Sequence, residues 1–153
     1  MNLIKRINDL NLELPPAPKP VGVYKPILVV DNFLYISGQG PINTDGSLIT
    51  GKVGSDLNKN EAKLAARQVG LTMLSTMVNN FKNINQIKRI IKVFGMVNAD
   101  QEFFDHPYVI NGFSELMVEV FGEKMGIGVR SAVGMTLPQN IAVEIEAQFE
   151  INT

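Results

Sequence analysis

One arginine and two glutamates near the end of the chain have the residue types and spacing of a site for a small anion. Arg130 lies in one apolar segment, and Glu144 and Glu146 alternate with apolar residues in the next. Side chains along a strand point to opposite faces in turn, so this alternation predicts a strand with both glutamates on one face. The Leu-Pro-Gln-Asn turn at 137–140 predicts that the two segments form a hairpin. A guanidinium binds a carboxylate through paired hydrogen bonds, and a carboxylate moves protons, so this hairpin could hold an anion and transfer a proton beside it.

The composition is that of an ordinary globular protein and excludes several classes of function. The length of 153 residues predicts one domain over 1–153, with an N-terminal helix and arm at 1–20 and a core at 21–150. The net charge of −1 predicts neither a nucleic-acid surface nor a membrane patch. The lack of cysteine excludes thiol catalysis and thiolate metal sites. Neither a signal peptide nor a membrane-spanning segment is recognisable, so the expected compartment is the cytoplasm.

The first third of the chain predicts a helix, an arm, a hairpin and a loop. Apolar residues at helical spacing predict a short helix over 2–10. The prolines of 14–20 cannot continue that helix and predict an extended, partly rigid arm. Apolar runs at 27–30 and 33–37 flank an Asp-Asn pair suited to a tight turn and predict a β-hairpin. Residues 42–57 are rich in Gly, Asn and Asp, which is typical of an irregular loop with at most one short strand.

Two long helices are predicted around a β-branched strand. Asn58 and Glu61 have the spacing of an N-cap and its reciprocal acid, and a helical apolar face follows them. Residues 87–97 predict a central strand, buried on both faces toward its end. Pro107 fits the first turn of a second long helix, which a glycine then ends.

The order of these elements predicts an α+β fold with one mixed, mainly antiparallel sheet and two long helices on one face. The other face of the sheet must also be covered. Phe33, Tyr35, Val143 and Ile145 are the apolar residues assigned to that face. The simplest cover is another copy of the same chain, which predicts a homo-oligomer.

Several of these segments together resemble the reactive-intermediate deaminase family, also called the YjgF family. The resemblance rests on Tyr35-Ile36-Ser37-Gly38-Gln39, on Arg130-Ser131-x-Val133 with Leu137-Pro138, and on Val143-Glu144-Ile145-Glu146-Ala147. It covers residues from about 21 to 150 in the right order. The N-terminal helix, the Pro-rich arm and the 42–57 loop resemble the longer branch of the family.

The resemblance implies a chorismate-mutase-like fold and a homotrimer with a barrel-like core and a site in each cleft between subunits. It implies hydrolysis of enamines and imines such as 2-aminoacrylate to a 2-oxo acid and ammonia, as by a 2-iminobutanoate/2-iminopropanoate deaminase. No metal or organic cofactor, nucleic acid or membrane is implied as a partner, only a small carboxylate substrate and further copies of the chain. The implied catalytic residues are Arg130, as the clamp of the substrate carboxylate, and Glu144, which positions the attacking water. The implied binding residues are Tyr24, Ser37, Gly38 and Asn111.

Two residues depart from the family pattern. Ala132 stands where many relatives have cysteine, so no thiol is available at that position. Gly134 replaces a larger side chain, which predicts a wider pocket. The size of the substrate is therefore open.

The sequence also allows a structural role for each of these site residues. Arg130 could form a surface or interface ion pair, and Glu146 could be a paired or solvated charge at the sheet edge. Tyr24 could be a packing residue, 37–38 could mark a bulge, and Asn111 could be a helix-surface amide.

The sequence is compatible with two functions: the deaminase, and a non-catalytic or regulatory trimer that binds 2-oxo acids or a protein partner at the same cleft. RNA cleavage has little support, because no aromatic stacking platform accompanies the basic cluster of Lys82, Lys88, Arg89 and Lys92. His106 is the only histidine, which excludes a catalytic triad or a two-histidine metal site within one chain. It is expected to be a helix-entry residue.

Overall fold

A computed structural model describes residues 1–152, so Thr153, the last residue of the predicted domain, lies outside the described residues. The described chain alternates helices and strands in the predicted order. The helices are α1 (Leu3–Asp9), α2 (Lys59–Asn80), α3 (His106–Phe121) and α4 (Glu123–Gly126). The strands are β1 (Ile27–Val30), β2 (Phe33–Gln39), β3 (Ile87–Asn98), β4 (Val129–Met135) and β5 (Val143–Ile151). The short helix α4 lies between α3 and β4, where the sequence analysis assigns no separate helix.

The strands form one sheet in the order β1-β2-β5-β3-β4, in which only the β3–β4 pair is parallel. The predicted mixed, mainly antiparallel sheet is confirmed. The predicted hairpin of the last two strands is wrong, because β3 lies between β4 and β5 and pairs with both. The connection between them crosses the end of β3 and is fixed there by Asn98. The amide side chain of Asn98 donates to Asn140 Oδ1 at 2.9 Å, and its backbone N–H donates to the carbonyl of Ala142 at 2.9 Å.

Helices α2 and α3 cover one face of the sheet, and the core lies between. Every second residue of β5 is buried on this side, from Val143 to Ile151. The assignment of Val143 and Ile145 to the opposite face is therefore wrong: both are fully buried in the core. Phe33 and Tyr35 alternate with the buried Leu34 and do lie on the opposite face. Among residues 1–152 no helix packs on that face, and only part of the Pro-rich arm borders it.

The ends of the long helices follow the sequence signals. Asn58 Oδ1 accepts from the backbone N–H groups of Asn60 and Glu61, each at 2.9 Å, and Glu61 Oε2 accepts from the N–H of Asn58 at 2.8 Å. This reciprocal pair satisfies donors that a helix start otherwise leaves unpaired. Pro107 lies in the first turn of α3, as predicted. Leu64 has the helical spacing of the apolar face predicted after Asn58 and Glu61, but it is 67% exposed and therefore lies outside the buried face of α2.

The N-terminal segment packs on the body of the protein. Leu3 and Ile7 on α1 are buried in the core, and the hydroxyl of Ser75 on α2 donates to the carbonyl of Pro15 at 2.7 Å. The 42–57 loop contains isolated bridges, such as Thr50 with Ile141, and no strand among its described residues. None of the helices within 1–152 combines the length and apolar character needed to cross a membrane.

Candidate functional site

Four of the predicted site residues line one cavity. Tyr24, Ser37, Gly38 and Glu144 surround a space of about 490 Å³ between the arm and the sheet. The pairing of β2 with β5 shifts between Ile36 and Gln39, so a bulge occurs at 37–38. A bulge re-aims the side chains beside it. A Cβ on Gly38 would lie 2.7 Å from Glu144 Oε2, so the glycine gives this carboxylate room.

The arm that carries Tyr24 is fixed on both sides of this residue. Pro15 is held by α2, and the hydroxyl of Ser37 donates to the carbonyl of Lys25 at 2.6 Å. The side chain of Tyr24 is 48% exposed, and its hydroxyl accepts from the N–H of Val21 at 3.4 Å. Tyr24 is therefore a wall of the cavity and not a core residue.

Arg130 and Asn111 line a different cavity, of about 270 Å³, between α3 and the edge strand β4. Arg130 Nη1 donates to Ser114 Oγ at 3.1 Å, and Nη2 donates to the carbonyl of Pro107 at 3.3 Å. Pro107, Asn111 and Ser114 follow helical spacing, so they share one face of α3. Arg130 takes part in none of the ion pairs found among residues 1–152. Its other N–H donors are free for a ligand, because a guanidinium has five.

The two sets of residues lie on opposite faces of the sheet. Arg130 is in register with Val93, whose side chain points into the core beneath the helices. Glu144 is in register with Met96 and alternates with the core residues of β5, so it points to the uncovered face. The strands β4 and β5 are two strand spacings apart, or about 10 Å, before the opposite directions of the side chains are added. Arg130 and Glu144 of one chain therefore cannot touch the same small ligand.

Burial raises the pKa of the Glu144 carboxyl above its ordinary value, and the negative charge of Glu146 raises it further. Glu146 is exposed and lies on the same face two residues along the strand. Because the folded-state pKa is the higher one, ionisation of Glu144 favours the unfolded chain. The free energy of unfolding therefore falls as the pH rises from the ordinary pKa of a glutamate through the raised pKa of Glu144. A carboxyl with a raised pKa can both accept and return a proton nearer neutral pH.

The sequence prediction missed Ser114 and the Pro107 carbonyl as partners of Arg130. The signal that could have found them is the spacing of Pro107, Asn111 and Ser114 on one face of a helix, once Asn111 is placed at the site.

The predicted widening at Gly134 is wrong, since the imidazole of His106 already occupies that space. His106 is the first residue of α3, as predicted. Within residues 1–152, no three side chains of the kinds that bind metals come together as a candidate metal site.

Comparison with known proteins gives one family. Residues 5–142 match the family model described as "YjgF/chorismate mutase-like, putative endoribonuclease". The chain is 37% identical over 147 residues to Protein TCP17 of Trypanosoma cruzi, with 95% of this chain and 92% of that protein covered. It is 24% identical over 145 residues to a 2-iminobutanoate/2-iminopropanoate deaminase of Dermatophagoides farinae, with 89% and 91% covered.

A crystal structure of a protein of unknown function from Agrobacterium tumefaciens superposes with a TM-score of 0.85. That protein is 36% identical, and the alignment covers 98% of this chain and 94% of the other. The fold, the family match and the residues of the sequence resemblance agree, and the chain belongs to the YjgF family.

Proposed function

We propose that this protein is a cofactor-independent deaminase that hydrolyses 2-imino acids, formed from enamines such as 2-aminoacrylate, to 2-oxo acids and ammonia. The observation that carries the proposal is the pair of half-sites. One presents a guanidinium with free donors beside Asn111, and the other presents Glu144, whose pKa is raised, beside Tyr24 and Ser37. The relative named as a deaminase supports the same reaction class.

The chemistry needs one anion clamp and one proton carrier. Arg130 holds the substrate carboxylate, because its planar fork matches both carboxylate oxygens. Glu144 accepts a proton from a water molecule as the water oxygen bonds to the imine carbon. Glu144 returns this proton to the imine nitrogen, which gives a neutral carbinolamine. The hydroxyl proton of the carbinolamine is then passed through the same carboxylate to the nitrogen, so that the carbon–nitrogen bond breaks and ammonia leaves as the carbonyl forms. Imine and water are thereby converted to 2-oxo acid and ammonia, with no change in oxidation state.

Both half-sites act on one substrate only if a second copy of the chain supplies the missing half. We therefore propose a homotrimer with a site in each intersubunit cleft. The uncovered sheet face carries exposed apolar side chains, including Tyr35 on β2 and Val129 and Val133 on β4, which suits a contact with other copies. Sedimentation equilibrium at micromolar concentration tests this assembly. A stable monomer would remove the shared site and the proposed reaction with it.

The reaction is tested by measuring 2-oxo acid release while an amino-acid oxidase or lyase generates the imine in place. Wild-type protein is expected to accelerate the release, and Arg130→Ala and Glu144→Gln are each expected to lower kcat/KM by about 10²-fold or more. Arg67→Ala and Glu123→Gln are matched controls, because Arg67 pairs with Glu119 on the helix surface and Glu123 is exposed on α4. An uncatalysed rate with all of these proteins would overturn the proposal.

A role as a carboxylate-binding trimer without turnover is the alternative. It would be favoured if calorimetry with 2-oxobutyrate shows saturable binding that Arg130→Ala abolishes while deaminase assays stay at the uncatalysed rate. The description of the family also names an endoribonuclease. The net charge of −1 and the pairing of Lys88 with Glu150 offer little attraction to a phosphate backbone. RNA cleavage that survives Arg130→Ala would show a separate activity.

A further inference from the structure

His106 and Gly134 fit together at the start of α3. A Cβ on Gly134 would overlap the Nε2 atom of His106 and lie 3.1 Å from both its Cδ2 atom and the Cβ of Ala99. The ring of Phe103 meets the imidazole edge to face, with 5.5 Å between ring centroids. The backbone of Gly134 has no positive φ that would require glycine. Its missing side chain therefore makes room for the imidazole.

This contact lies on the same side of β4 as the anion clamp. Arg130 and Gly134 are in register with Val93 and Val97 of β3, which both point into the core, so the two residues share the helix-facing side. Helix α3 passes over this row, and the residue after His106 is Pro107, whose carbonyl accepts from Arg130 Nη2. The imidazole and the guanidinium thus bind the same first turn of α3 to one strand.

In the first turn of α3, Val109 is buried in the core, and the polar contacts other than the Arg130 bond are made toward α2. Asp105 makes no side-chain cap and pairs instead with Lys59 at 3.1 Å, and the hydroxyl of Tyr108 donates to Asn60 Oδ1 at 2.6 Å. These contacts hold the turn toward α2 only. The packing of His106 against Gly134 holds it toward β4, where the Pro107 carbonyl must be placed for Arg130.

We propose that His106 is a positioning residue for the anion clamp: its imidazole, seated on Gly134, fixes the Pro107 carbonyl that orients the Arg130 guanidinium. The inference rests on the proposed function for its benefit to catalysis, since that function makes Arg130 the carboxylate clamp. The orientation of Arg130 is a property of the free protein and can be measured without a ligand.

A double-mutant cycle tests the fit. Gly134→Ala and His106→Ala are each expected to shift the ¹⁵N–¹Hε resonance of Arg130, assigned by its loss in Arg130→Ala, and to weaken 2-oxobutyrate binding about tenfold. The double variant is expected to be no worse than His106→Ala alone, because the added methyl group then meets no imidazole.

The outcomes separate the two proposals. An unchanged Arg130 resonance in Gly134→Ala and His106→Ala, with only a lower melting temperature, would overturn the positioning role. Additive effects of Gly134→Ala and His106→Ala in the cycle would also overturn it, because the two residues would then act independently. A shifted resonance in a protein that neither binds 2-oxobutyrate nor hydrolyses imines would uphold the positioning role and refute the proposed function.

Discussion

Two inactive variants of this protein are expected to restore activity in each other when they share one oligomer. Arg130 and Glu144 lie on opposite faces of the sheet of one chain, so each proposed site takes the arginine from one copy and the glutamate from its neighbour. In a chain that carries Arg130→Ala the Glu144 half is intact, and in a chain that carries Glu144→Ala the Arg130 half is intact. A contact between these two chains in one direction therefore contains both functional groups.

The expected recovery follows from the symmetry of a closed ring of three. A mixed ring has one contact between like chains and two between unlike chains, which run in opposite directions. One of the unlike contacts joins the two intact halves and the other joins the two mutated halves. Isolated mixed rings should thus have about one third of wild-type activity, and an unsorted equal mixture about one quarter. Each variant alone is expected to retain about 1% or less.

The assay uses two affinity tags, co-expression of the two tagged variants, and sequential purification of mixed rings, followed by 2-oxo acid release from an imine. A mixture of Arg130→Ala with Asn111→Ala is the matched control. Both residues line the same cavity of one chain, so no contact in that mixture contains an intact Arg130 half. Mixed rings of the first pair that are stable but no more active than the single variants would refute the shared site.

Three further predictions concern charge, capping and packing. Burial and the charge of Glu146 both raise the pKa of Glu144, and Glu146→Gln removes the second of these causes. The acid limb of the profile of kcat/KM against pH should therefore move to lower pH. An unmoved limb would exclude this electrostatic coupling. Asn58→Ala removes the side-chain half of the α2 cap and should lower the free energy of unfolding by about 1 kcal/mol, which corresponds to a decrease of about 2–4 °C in Tm. An unchanged Tm would show that the cap contributes nothing to stability. Phe149→Ala should lower the free energy of unfolding, measured by denaturant titration, by about 3–5 kcal/mol, because the ring is fully buried. A loss below about 1 kcal/mol would mean that neighbouring core residues fill the cavity.

The sequence alone determined the local elements, because their causes are local. The apolar alternation around Glu144 depends only on the two-residue period of a strand. The reciprocal pair of Asn58 and Glu61, and the proline in the first turn of α3, act through backbone groups within one helical turn. The motif around Arg130 and the Glu-x-Glu pair was enough to indicate the family, and with it the fold.

The tertiary structure decided which elements lie beside each other and which face each side chain joins. No local pattern indicated that β3 would separate β4 from β5, because strand neighbours depend on long-range pairing and on the Asn98 contacts that hold the crossing connection. That one difference places Arg130 and Glu144 on opposite faces instead of side by side on a hairpin. The filling of the space at Gly134 by His106 is likewise a contact between residues distant in sequence. Periodicity fixes a residue's face within its own strand, but only packing decides what that face meets.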